Sequence, residues 1–143
     1  MYPFLDSYTD PDSKGKGSLE GPIMYVFNEL HCMPKDAKLP VVSPVFAALE
    51  ELRGLPGAIF CLADNDSLKQ EGYRYADMLK QAGVPVSVQE YAKMPHGFFE
   101  SGFGKISEEE MSFLGEEVIS MIRSGEIAKA SEAALDFVKA NFR

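Results

Sequence analysis

The chain is 143 residues long, 45% hydrophobic and 25% charged, with a formal net charge of −8. That is the length of one domain, able to bury roughly 70% of the surface its unfolded chain exposes, and the composition excludes a disordered chain. Lys and Arg are scattered rather than clustered, which excludes nucleic acid as a partner, because phosphates need a basic surface, and argues against an anionic membrane.

In chain order, Tyr2, Phe4 and Leu5 read as the end of a strand, and the Asp-, Lys- and Gly-rich stretch up to Gly17 reads as a loop. GPIMYVFNELH, from Gly21, predicts a helix with Pro22 at its first position and Met24, Phe27 and Leu30 on one face. SPVFAALEELRG predicts a second, short helix, capped by Ser43, begun by Pro44 and ended by Gly54. Ala58 to Ala63 is a continuous apolar run, the pattern of a strand buried on both faces, and it ends in Asp64, Asn65 and Asp66. Ser67 with Gln70 forms a capping-box pattern for the next helix. Leu68, Tyr75, Ala76 and Leu79 mark the buried stripe of that helix, and Gly83 stops it. Val84 to Tyr91 alternates apolar and polar residues and predicts a strand nearer the sheet edge, after which a loop carries His96. A helix is expected from Ser107 to Arg123, with Glu110 completing a capping box and Met111, Leu114, Val118 and Ile122 on one stripe. Gly125 separates it from a last helix whose face is Ile127, Ala130, Ala134, Phe137 and Val138.

Strand, helices, strand, helix, strand, helices is the order of an α/β domain with a parallel sheet. Ligands of such sheets sit beyond the carboxyl ends of the strands. Asp66 and His96 both fall there, so they can face one crevice. Cys61, inside an apolar run, reads as a buried thiol. Neither it nor Cys32 belongs to a CxxC pair, and His31 beside Cys32 is not a metal-ligand spacing by itself. No metal or cofactor is therefore expected, and a reduced, cytoplasmic setting fits. The apolar stretches are too short to span a bilayer, and no signal-peptide pattern opens the sequence.

Four segments, YPFLDSYTDP, VVSPVFA, the long run from Leu52 to Phe99 and ASEAALDFVKANF, occur in an ordered set. Within the long run, a strand ends in Asp, then a small turn and Leu. A helix with an early acidic-Gly pair comes next, then a strand, then His-Gly-Phe, with Asp66 and His96 thirty residues apart. This set resembles the C-terminal part of α/β-hydrolases of the hormone-sensitive-lipase-like esterase and acetyl esterase group. The resemblance implies a partial α/β-hydrolase fold, a small parallel sheet of about three strands flanked by helices, in a single domain over residues 1–143. It implies Asp66 as triad acid and His96 as general base. Asp64 is the competing acid, with a lower claim because the family's acid falls just before the Ser67-Leu68 position. Gly97 is expected to let the loop pass close to the sheet edge, and Phe98 and Phe99 to anchor it. The family commonly has Pro where this chain has Ser67. By the same resemblance Met24, Phe27, Val41 and Phe46 line an acyl pocket or belong to ordinary core, and the helix from Ser107 to Arg123 is an insertion.

The nucleophile is missing from the pattern. The family carries its serine in G-x-S-x-G at a strand-to-helix elbow, and these residues contain no such motif and no HGGG-type oxyanion motif. Ser101, in ESGFG, has the wrong glycine spacing. The resemblance places the elbow and the oxyanion donors before residue 1. Three readings stay open: part of a carboxylic-ester hydrolase that works only with a complementary N-terminal hydrolase chain, a non-enzymatic module that binds itself or a partner, and a magnesium-binding domain using Asp64 and Asp66. The last is disfavoured for want of a third acid and a partner lysine at a matching strand end. An unpaired strand edge also leads to the expectation of a homodimer.

Overall fold

The computed structural model describes residues 33–142, apart from 105 and 113. The strand expected at YPFLD, the helix after Gly21, His31, Cys32, Met24 and Phe27 lie outside the described residues. Two short 3-10 turns, Pro34–Asp36 and Pro44–Phe46, come first. They are followed by α1 (Leu49–Leu52), β1 (Ala58–Asn65), α2 (Lys69–Gln81), β2 (Val86–Pro95), α3 (Phe98–Phe103), α4 (Glu108–Met111), α5 (Glu116–Arg123) and α6 (Glu126–Asn141).

β1 and β2 pair in parallel, from Ala58 opposite Val86 to Ala63 opposite Tyr91. The connection between them is α2, the crossover that parallel neighbours require. Successive side chains of a strand point to opposite faces, and β1 feeds two separate cores accordingly. Ala58 and Phe60 join Leu52, Leu79, Ala82 and Val84 on the side covered by α1 and α2. Cys61 and Ala63 join Met94, Phe98, Met121, Ile127 and Ala134 on the side covered by α3, α5 and α6. The result is a small parallel sheet flanked by helices on both faces. β1 is less enclosed than its apolar run implies: of its residues only Ala63 is fully buried.

Three expected helices are built differently. SPVFAALEELRG is not one helix: Ala47 and Ala48 are extended between the Pro44–Phe46 turn and α1, and Ser43 makes no side-chain cap. Ala47 and Leu49 both pack on the Leu52–Leu79 core, and a continuous helix would have turned them to opposite sides. The N-cap residue of α2 is Leu68 rather than Ser67, and its N–H donates to Asp66 Oδ1 at 2.8 Å. The segment 107–123 is two helices. Ser107 and Glu110 do form the reciprocal capping box, but Ser112 Oγ donates back to the Glu109 carbonyl, a side-chain bond that competes with helix continuation. Gly115 then caps α5. The stripe of α5 is buried on the second core, with Met121 its most enclosed member beside Val118 and Ile122.

A groove of about 770 Å³ lies at the opening ends of the two strands, between Pro56–Ile59, Pro85–Ser87 and Asn141–Phe142. It is at the opposite end of the sheet from Asp66 and His96. Val41 is 89% exposed, so it lines no enclosed pocket, and Phe46 is half-buried with Lys38 Nζ 5.9 Å from its ring centroid. Among the described residues no helix is long and apolar enough to cross a membrane.

Candidate active site

A parallel pair brings two strand ends of the same polarity side by side, and here each end carries one titratable group. Asp66 comes directly after the last residue of β1, and His96 directly after the last residue of β2. His96 Nδ1 lies 2.8 Å from Asp66 Oδ2. A carboxylate oxygen only accepts, so Nδ1 carries the proton and donates, and in the neutral ring Nε2 bears the lone pair.

The acid is held from both sides. Its Oδ1 takes the Leu68 N–H, which ties the carboxylate to the start of α2, while Oδ2 takes the imidazole. Asp66 is also the more sheltered partner, with 14% of its side chain exposed against 39% for His96. The hydrogen bond to Asp66 raises the His96 pKa above the ordinary 6.5; burial opposes this, and the charges of Asp66 and Glu100 add to the rise.

Residues 97–99 follow His96 directly and fix the course of the chain there. Gly97 has φ +73°, a conformation that glycine adopts at no steric cost. An added Cβ there would meet nothing closer than Glu100 Oε2 at 3.6 Å. Backbone conformation, rather than the expected close approach to the sheet edge, is therefore what that position needs. The chain turns directly into α3, a helix that the sequence pattern does not predict. Phe98 is buried against Tyr91, 5.1 Å between ring centroids, and Phe99 packs partly buried on the same core. Ser131 of α6, fully buried, has its hydroxyl 2.8 Å from both the Phe98 and Ile127 carbonyls. Ser101 is inside α3 with its hydroxyl donated to the Gly97 carbonyl.

Asp64, the competing acid, is turned elsewhere. Its Oδ1 accepts from Lys69 Nζ at 2.7 Å and its Oδ2 from the Lys93 N–H at 3.3 Å. Lys69 is the first residue of α2, a helix start rather than a strand end. Cys61 is a free thiol, half-buried in the core beside Tyr91. Burial pushes the thiol up and the Tyr91 phenol to about 12, the setting of an inert rather than a nucleophilic cysteine. Among the described residues no three His, Cys, Asp or Glu side chains gather as metal ligands would.

Comparison with known proteins puts a family to this geometry. The family model described as alpha/beta hydrolase fold matches residues 1–100. The chain belongs to that family. Two esterase relatives come from Mycobacterium tuberculosis. Esterase LipI is 41% identical over 49 residues, 34% of this chain and 15% of the relative. Carboxylic ester hydrolase LipN is 39% identical over 59 residues, 41% of this chain and 15% of the relative. Among solved structures, the Pyrobaculum calidifontis esterase superposes with a TM-score of 0.54 at 29% identity, covering 92% of this chain and 38% of that one. A thermostable esterase from Pseudomonas putida gives 0.55 at 27% identity, covering 79% and 32%. The chain thus spans 15% of the length of the curated relatives it matches and about a third of these solved esterases.

Proposed function

We propose that Asp66 and His96 are the acid and base of a carboxylic-ester hydrolase site whose serine is carried outside these 143 residues, on a longer polypeptide or on a complementary chain. The observation that carries this reading is the 2.8 Å hydrogen bond between His96 Nδ1 and Asp66 Oδ2 at two adjacent parallel strand ends. In such a site His96 Nε2 takes the proton of the serine hydroxyl as it attacks the ester carbonyl, then delivers it to the leaving alcohol. Asp66 keeps the ring in the tautomer that leaves Nε2 basic and stabilises the imidazolium as it forms. The raised His96 pKa serves this proton uptake. A cytoplasmic setting accompanies the reading, and the free thiol of Cys61 supports it.

The test is to supply the missing half. The full chain is fused behind the segment of the Pyrobaculum calidifontis esterase that precedes the matching region, and turnover of p-nitrophenyl butyrate is measured. Asp66→Asn is expected to lower kcat about 10⁴-fold and His96→Ala about 10⁶-fold. Turnover that survives both substitutions would remove the pair from the mechanism.

A further inference from the structure

Asp64, Asn65 and Asp66 deliver three polar side chains to the end of β1, and the acid–base pair uses only the third. The work of the first two is explained by an irregularity in β2. Between the pairs Ala63–Tyr91 and Asn65–Pro95, β1 advances two residues while β2 advances four. The surplus is a bulge, and Lys93 inside it has φ +65°, unlike every other non-glycine among the described residues. The left-handed region costs a residue with a Cβ about 1–2 kcal/mol, and a bulge takes its extra peptide groups out of the ladder. Yet both backbone polar groups of Lys93 are met by side chains reaching across from β1. Its N–H donates to Asp64 Oδ2, and its carbonyl accepts from Asn65 Nδ2, each at 3.3 Å. The other oxygen of Asp64 is anchored on Lys69 Nζ, so the carboxylate cannot swing away without breaking that ion pair.

The bulge decides where His96 lands. Two residues of strand span about 7 Å. In an unbulged ladder Lys93 would stand opposite Asn65, and His96 would overshoot Asp66 by about that length, against a hydrogen-bond reach near 3 Å. The surplus of two residues lets pairing resume at Asn65–Pro95, while inside the bulge the alternation is broken: Tyr91 and Met94, three positions apart, both join the same core.

We propose that Asp64, together with Asn65, is a positioning residue for His96: the two side chains clamp the Lys93 peptide in its left-handed conformation, and the bulge so held brings the imidazole to Asp66. The inference rests on the reading of Asp66 and His96 as a working pair, and its test separates the two. The 143-residue chain is titrated by NMR, following the Hε1 proton of His96, identified by its loss in His96→Ala. Asp64→Asn and Asp64→Ala remove the same charge, but only the first keeps an oxygen for the Lys93 N–H. Asp66 and Glu100, the charges facing His96, are unchanged in both. The clamp requires a downward shift of the His96 midpoint in Asp64→Ala, toward that of Asp66→Asn, and a midpoint near wild type in Asp64→Asn. In a Lys93→Gly background, where the left-handed turn is no longer strained, Asp64→Ala should produce no further shift. Asn65→Ala should lower the midpoint as Asp64→Ala does, and it serves as the readout if Asp64→Ala does not fold. A purely structural Asp64 would change the melting temperature without moving the midpoint. Identical midpoints for Asp64→Asn and Asp64→Ala, with Asp66→Asn lowered, would overturn the clamp and leave the pair standing. An Asp66→Asn midpoint equal to wild type would overturn both.

Discussion

Gly102→Ala tests whether the helix after His96 is held by contact with α6. α3 and α6 make the most extensive helix–helix contact in the described fold. At their crossing, a Cβ on Gly102 would fall on Oγ and Cβ of the buried Ser131, and 3.1 Å from the Ile127 carbonyl. Two responses are open. The helices separate, which as overpacking costs about 1–3 kcal/mol, or Ser131 leaves its rotamer and strands the Phe98 carbonyl, also about 1–3 kcal/mol. Either relieves part of the other, so about 2–4 kcal/mol covers both. Alanine in place of glycine returns about 1 kcal/mol of helix propensity. The net is a loss of about 1–3 kcal/mol, or about 3–10 °C in melting temperature for a domain of this size. Urea and thermal unfolding monitored by circular dichroism would measure it. The cause is isolated by repeating the substitution in Ser131→Gly, which removes both offending atoms. There Gly102→Ala should be close to neutral, with the Ile127 carbonyl the remaining restraint. An unchanged wild-type stability, or the same loss in both backgrounds, would refute the contact argument.

The 143-residue chain by itself should hydrolyse p-nitrophenyl acetate and butyrate only at a slow background rate, equal in wild type and His96→Ala; saturable turnover lost in the variant would refute this. The folded-state pKa of His96 is raised, so the stability it contributes is fully present below its unfolded value near 6.5 and fades as pH rises through the higher folded value. Urea midpoints should therefore fall between about pH 6 and the alkaline side of that transition, and Asp66→Asn should flatten the fall; equal slopes would contradict the linkage. The chain is expected to be a two-fold dimer, because the strand expected at YPFLD would carry an uncovered edge and an open edge recruits another strand. Sedimentation equilibrium at micromolar concentration should show twice the 15.8 kDa of one chain, and a single species at one chain mass would exclude the dimer.

The sequence by itself determined the α/β class, the order β1, α2, β2 and the meeting of Asp66 with His96. Each depends on a regular rule: apolar runs of strand length, a helix long enough to cross over, and parallel strands whose carboxyl ends come out on one side. Gly83 and Gly125 mark real helix boundaries, because their positive φ is something few other residues adopt. Other features were not legible, because their causes are not local. Nothing in the residues around Lys93 announces a left-handed turn. Its conformation is set by counting β2 against β1, and by Asp64 and Asn65 arriving from a strand 28 or 29 positions away. The N-cap of α2 is Leu68 rather than Ser67, and its N–H is taken by the carboxylate of Asp66, which also holds His96 from the neighbouring strand end. α3 is not legible in the sequence because three glycines, Gly97, Gly102 and Gly104, flank or interrupt its short span, and local propensity speaks against a helix. Only the tertiary structure shows that one of them is there to let Ser131 reach the Phe98 carbonyl. Periodicity reports which face of an element is apolar, whereas register, bulges and close crossings depend on the partner element, which local sequence does not encode.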